Sequence, residues 1–131
     1  GLFLSRGSSE SQVRGIIGAT GSDLDADGLA LYARLIARRA HVDGTLAMMA
    51  QWSLRDLGAA LPNIQVPTLF LHGVNDQAVA LSVAERAAGA MPDARLRAFE
   101  NVGHLAQEEA PRNVASEILS FLKDASHAAA E

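Results

Sequence analysis

Apolar residues between positions 24 and 61 recur at intervals of three and four, the period of helices that bury one face. The acidic stretch Asp23-Leu24-Asp25-Ala26-Asp27 offers N-cap side chains and favourable charge for a helix over residues 26–39. In it Leu24, Leu31 and Leu35 with Gly28 form one stripe, and Leu29, Tyr32 and Ile36 its neighbour. Arg34, Arg38 and Arg39 lie near the end that favours cations, as a solvated face complementing the helix dipole. A second helix over about residues 41–51 carries Val42, Leu46, Met49 and Ala50 on one side, and a third, shorter one holds Leu54, Leu57 and Leu61. Ahead of them, residues 5–12 are small and polar and read as a loop. A second loop, Ala19-Thr20-Gly21-Ser22, ends with Ser22 placed to cap the first helix.

The period changes after residue 63. Ile64, Val66, Thr68, Leu69, Phe70 and Leu71 predict a buried strand over residues 66–72, whose near-continuous apolar character suits a parallel strand covered on both faces. A helix over 81–91 follows, opened by a Ser82/Glu85 capping box and broken by Pro92-Asp93-Ala94. Residues 95–99 alternate polar and apolar, as in a half-exposed strand near a sheet edge. Pro111 suits the first turn of a last helix, whose Val114, Ile118, Phe121 and Leu122 form a stripe ending near Lys123; residues 126–131 read as a frayed tail. Strand, helix, strand, helix at this spacing is a right-handed βαβα unit of a parallel sheet, so the fold class is α/β. The helical segment then covers residues 1–61 and the βαβα unit residues 62–125. Two strands alone leave an unpaired edge, so further strands are expected from outside this chain.

Composition narrows the functional classes. With 49% hydrophobic and 20% charged residues and a net charge of −4, there is no basic field to attract nucleic acid. The absence of cysteine excludes disulfides, thiolate metal sites and a cysteine nucleophile. No apolar run approaches the roughly 20 residues of a membrane-spanning helix. The first four residues are apolar but lack the basic flank of a signal peptide, from which a cytoplasmic location is expected. A start on glycine suggests a piece of a longer product.

In open α/β sheets the chemistry gathers at the carboxyl ends of strands, where two polar loops fall here, residues 72–79 and 101–106. Each holds an ionisable group just past a strand: Asp76 and His104, 28 residues apart. A histidine acting as general base needs its second nitrogen held by a carboxylate, and this pair can supply that. Taken singly, Asp76 reads as a loop aspartate capping the next helix and His104 as a structural histidine; both readings must hold together to displace the catalytic one. His72 is placed to shape the pocket wall. His41 stands at a helix end in solvent, and neither a metal site nor a cofactor is expected.

The residues Pro67-Thr68-Leu69-Phe70-Leu71-His72-Gly73 with Asp76, then Gly103-His104, Glu109, Pro111 and Val114, resemble the C-terminal third of an α/β-hydrolase. Ala80 departs from the proline that many members carry after the acid loop. The resemblance implies the acid and histidine of a Ser-Asp-His type triad, in that chain order, and a helical lid formed by the preceding segment. No serine here has the Gly-x-Ser-x-Gly context, so the nucleophile and oxyanion-hole donors are expected upstream of Gly1 and the chain alone is expected to be inactive. Within the lid, residues 28–35, His41-Val42 and residues 46–54 resemble the magnesium-chelatase accessory proteins of bacteriochlorophyll synthesis, with Ser53 where that family has aspartate. That likeness implies that Met48, Met49 and Trp52 line a wide pocket for a flat apolar macrocycle, the alternative being ordinary helix packing. Three functions stay open: hydrolysis of an ester or other acyl bond in a small apolar substrate, tetrapyrrole binding with a relic triad, and a non-catalytic interaction module.

Overall fold

The computed structural model describes residues 10–128. It opens with a helix that the polar start of the chain concealed, α1 (Glu10–Gly18), whose Val13 and Ile17, one turn apart, are buried. Residues 10–12, expected in a loop, are its first turn; the rest of that loop lies outside the described residues. Helix α2 spans Ala26–Ile36. It stops short of residue 39 because Arg38 is extended (φ −90°, ψ 100°) and starts a separate helix, α3 (Arg39–Ala50). The cap of α2 is Asp25, whose Oδ1 accepts from the Gly28 amide at 2.8 Å; Ser22 is not the cap. Leu29, not the Leu31/Leu35 stripe, faces inward: it is 1% exposed, against 57% and 42% for those two. The expected third helix reduces to one turn, α4 (Leu57–Ala60), and a 3₁₀ turn Leu61–Asn63, with Leu54 outside both.

Strands β1 (Thr68–Gly73) and β2 (Ala94–Phe99) pair in parallel, Thr68 opposite Ala94 and Gly73 opposite Phe99, with α5 (Leu81–Ala90) as the crossover. The Ser82/Glu85 capping box does not form, because the helix starts two residues earlier than that motif requires: Ala80 is its cap and makes no side-chain bond. A single turn, α6 (Ala106–Glu109), leads to α7 (Pro111–Ala128), which starts on the proline and stays helical past residue 126. None of the described helices is long and apolar enough to cross a membrane.

Two apolar clusters hold these elements. Val13, Ile17, Leu24 and Leu29 pack together with Tyr32, Ala33, Ile36 and Leu105. Phe99, Val102, Ala106 and Val114 pack with Leu71 and Ala110. Fully burying a side chain such as Leu29 stabilises by about 1.5–3 kcal/mol, and the consecutive residues Leu105 and Ala106 draw on both clusters. The loop immediately before them, which carries His104, is thereby pinned from two sides.

Candidate functional site

Both polar loops leave the sheet at its carboxyl edge, and main-chain bonds splice them together. The Val74 amide donates to Phe99 O at 2.9 Å and the Asn75 amide to Val102 O at 2.8 Å. This continues the strand register one step beyond the sheet and sets Asp76 and His104 side by side. His104 Nδ1 lies 2.9 Å from Asp76 Oδ2; a carboxylate only accepts, so Nδ1 carries the proton and donates. The other oxygen, Oδ1, accepts the amides of Ala78 (2.8 Å) and Val79 (2.9 Å). The Asp76 side chain is 5% exposed and that of His104 42%, so the acid is sunk and the imidazole's Nε2 edge is left for another group.

Burial pushes the Asp76 carboxyl up, but hydrogen bonds from His104, Val79 and Ala78, with the attraction of His104, outweigh it and hold the group below its ordinary 3.8. His72 supports the same loop. Its Nε2 lies 3.1 Å from the Val79 carbonyl, which makes that nitrogen the donor, and 3.8 Å from Asp76 Oδ2. It is buried, as a residue shaping the wall of the site should be.

A third loop, between α1 and α2, completes the junction. Ser22 Oγ accepts from the Leu105 amide at 2.9 Å, and the Gln77 amide donates to Thr20 O at 3.0 Å. Glu109 clamps two loops at once, Oε2 accepting from the Gly103 amide (2.9 Å) and Oε1 from the Asp23 amide (3.1 Å). Gly21 has φ +81°, and a β-carbon there would collide with the Asn75 carbonyl; one on Gly103 would collide with the Gly21 backbone. Sequence reading named Glu109 only as part of a motif and took Ser22 for a helix cap. Ser22 is bonded to the Leu105 amide 83 residues away and Glu109 to the Asp23 amide 86 residues away, distances over which local pattern carries no signal.

Met48, Met49 and Trp52 are not gathered with this pair. The methionines stand on α3, which packs on α2, and Trp52 just beyond it; the three are 49%, 51% and 61% exposed. No group of three His, Cys, Asp or Glu side chains able to hold a metal occurs among the described residues.

Residues 27–111 match the sequence profile of the α/β hydrolase fold family. The chain is 41% identical over 117 residues to the magnesium-chelatase 30 kDa subunit of Rhodobacter capsulatus, covering 89% of this chain and 41% of that protein. It is 32% identical over 91 residues to 2-hydroxy-6-oxononadienedioate/2-hydroxy-6-oxononatrienedioate hydrolase 2 of Pseudomonas putida, covering 68% of this chain and 32% of the relative. The chain thus spans about two-fifths or less of the length of these relatives. Among solved structures, the esterase EaEST of Exiguobacterium antarcticum superposes with a TM-score of 0.70 at 23% identity, over 87% of this chain and 42% of the esterase, a likeness of fold.

Proposed function

This chain belongs to the α/β-hydrolase family, and from that membership we propose that Asp76 and His104 are the acid and the base of a serine-type hydrolase acting on an ester or related acyl bond. The observation that supports this reading most is the Asp76–His104 hydrogen bond of 2.9 Å, with the acid buried and the imidazole half open. Asp76 fixes the tautomer in which Nε2 is unprotonated, the form a general base requires. The nucleophile and the oxyanion-hole donors belong to a part of the protein outside these 131 residues. His104 Nε2 takes the nucleophile's proton as its oxygen bonds to the acyl carbon, and returns that proton to the leaving alkoxide as the acyl–oxygen bond breaks. Water then repeats the sequence and releases the acid. In the full-length protein, His104→Ala is expected to lower kcat for an activated ester by about 10³-fold or more. Turnover unchanged by that substitution, measured by leaving-group absorbance, sinks the reading.

A second reading, a magnesium-chelatase accessory protein that binds a tetrapyrrole in bacteriochlorophyll synthesis, is favoured by the 41% identity to a magnesium-chelatase subunit. In it the helical segment is a lid, and Met48, Met49 and Trp52 close over the macrocycle. Trp52 is the single tryptophan of these 131 residues, so protoporphyrin titrated into the full-length protein should saturably quench a component of the tryptophan emission that Trp52→Phe removes. Trp52→Phe or Met49→Ala should weaken binding by about 1–3 kcal/mol. Absence of saturable quenching at micromolar protoporphyrin removes this reading and leaves the hydrolase.

A further inference from the structure

A cavity of about 530 Å³ opens between α2 and α6, lined by Leu31, Tyr32, Arg34, Leu35, Arg38 and Glu108. Its volume falls within the range of small-molecule sites, about 300–1,000 Å³. The chemistry of the lining is divided. Leu31 and Leu35, four residues apart on one face of α2, are the apolar surface left in solvent when Leu29 turned inward. Arg34 and Arg38, likewise four apart, supply two guanidinium groups beside them.

Those two cations have no carboxylate partner among the described residues. Arg14, Arg39, Arg95 and Arg97 each lie against an acidic side chain, whereas Arg55, Arg86 and Arg112 are as unpaired as Arg34 and Arg38; what sets these two apart is that both line one cavity beside an apolar surface. The carboxylate that lines this cavity, Glu108, is engaged by the Tyr32 hydroxyl at 2.6 Å. Burial first, then the bond to Glu108 and its charge, push the Tyr32 phenol up to about 12, so it stays a donor and holds Glu108 on its own side. Two positive groups and one negative group leave the cavity cationic at the arginine end.

We propose that this cavity binds an apolar ligand bearing a carboxylate, its body on Leu31 and Leu35 and its carboxylate on the Arg34 and Arg38 guanidinium groups. Planar guanidinium forks match a carboxylate bidentately, and an apolar floor beside them selects acids with a hydrophobic body over small polar ones. Glu108 lies four residues after His104, its amide bonded to Leu105 O, so the turn that lines the cavity directly follows the loop of the proposed base. That the ligand is the substrate rests on the hydrolase reading; that it binds does not.

The test uses the full-length protein and two fluorescent probes of equal body, 1-pyrenebutyrate and the uncharged 1-pyrenebutanol, titrated by fluorescence anisotropy. The carboxylate is expected to bind about tenfold tighter than the alcohol, as for a charge-assisted pair. Arg34→Gln/Arg38→Gln should abolish that preference, whereas Leu31→Ser/Leu35→Ser should weaken both probes. Equal affinity of the two probes, a preference that survives the double arginine change, or no binding because another part of the protein fills the cavity overturns the proposal. His104→Ala is measured alongside for binding and for ester turnover. Carboxylate preference with turnover indifferent to His104 keeps the site and removes the hydrolase reading; His104-dependent turnover without the preference does the reverse.

Discussion

At the scale of a residue, Asp76 shows how one carboxylate is divided between two tasks. Oδ1 is spent on the Ala78 and Val79 amides, which fix the loop, and Oδ2 on His104, which fixes the imidazole. These bonds favour the charged form, so the group titrates lower in the folded chain than the 3.8 it has when unfolded. Its contribution to stability is therefore fully present above 3.8 and is lost as pH falls through the lower, native value. In the full-length protein, unfolding free energy measured by denaturant titration should decline with acid across that window, and Asp76→Asn should flatten this part of the profile. The same substitution puts an amide donor opposite Nδ1 in place of an acceptor, favouring the tautomer that leaves Nε2 unable to act as base; kcat should fall by about 10³–10⁴-fold.

At the scale of elements, three loops meet with so little space that backbone touches backbone. Gly21 and Gly103 lie at the point of contact, and the clamp by Glu109 ties the Gly103 amide to the Asp23 amide. A methyl group at Gly103 meets main chain that cannot rotate away, unlike the far end of a flexible side chain. In the full-length protein Gly103→Ala is thus expected to cost about 1–3 kcal/mol or more and to lower both Tm and the proposed His104-dependent turnover, since the loop shifted is the one bearing the proposed base. A Tm within experimental error of the parent protein, measured calorimetrically, would show that the junction is looser than these contacts imply. Glu109 belongs to the same joint: its removal leaves two amides without their acceptor.

For the molecule as a whole, the surface is the informative quantity. Among the described residues, the large apolar side chains left exposed include Leu46, Met48, Met49, Trp52 and Leu54 on and after α3, and Leu119 and Leu122 on α7, more than scattered single surface residues would give. The sheet among the described residues has two strands, fewer than independent stability ordinarily requires. These 131 residues expressed by themselves should therefore bind an apolar dye such as anilinonaphthalene sulfonate and unfold without a sharp transition, while the full-length protein should do neither. A cooperative melt and no dye uptake from the short chain would mean that it is a self-sufficient domain.

Much of this was legible in the order of residues. The change from a three-to-four spacing to a β-branched run at residue 64 marks where helices give way to the βαβα unit, because burial on a helix and on a strand obey different periods. A Gly-x-x-Asp loop and a Gly-His loop, each directly after a strand, pointed to Asp76 and His104, since parallel strands bring their carboxyl ends to one rim. Pattern failed where partners are remote or where two faces compete. It offered both stripes of α2 and could not choose between them; the inward one, on Leu29, is selected by Val13 and Ile17 of α1, a helix masked by its polar start. Ser22 resembled a cap because capping residues are short and polar, yet its hydroxyl accepts from the Leu105 amide, and Asp25 caps α2 instead. Local propensity acts within a turn or two of chain, while the joint of Gly21, Gly103 and Glu109 exists only once residues more than eighty positions apart have been packed against each other.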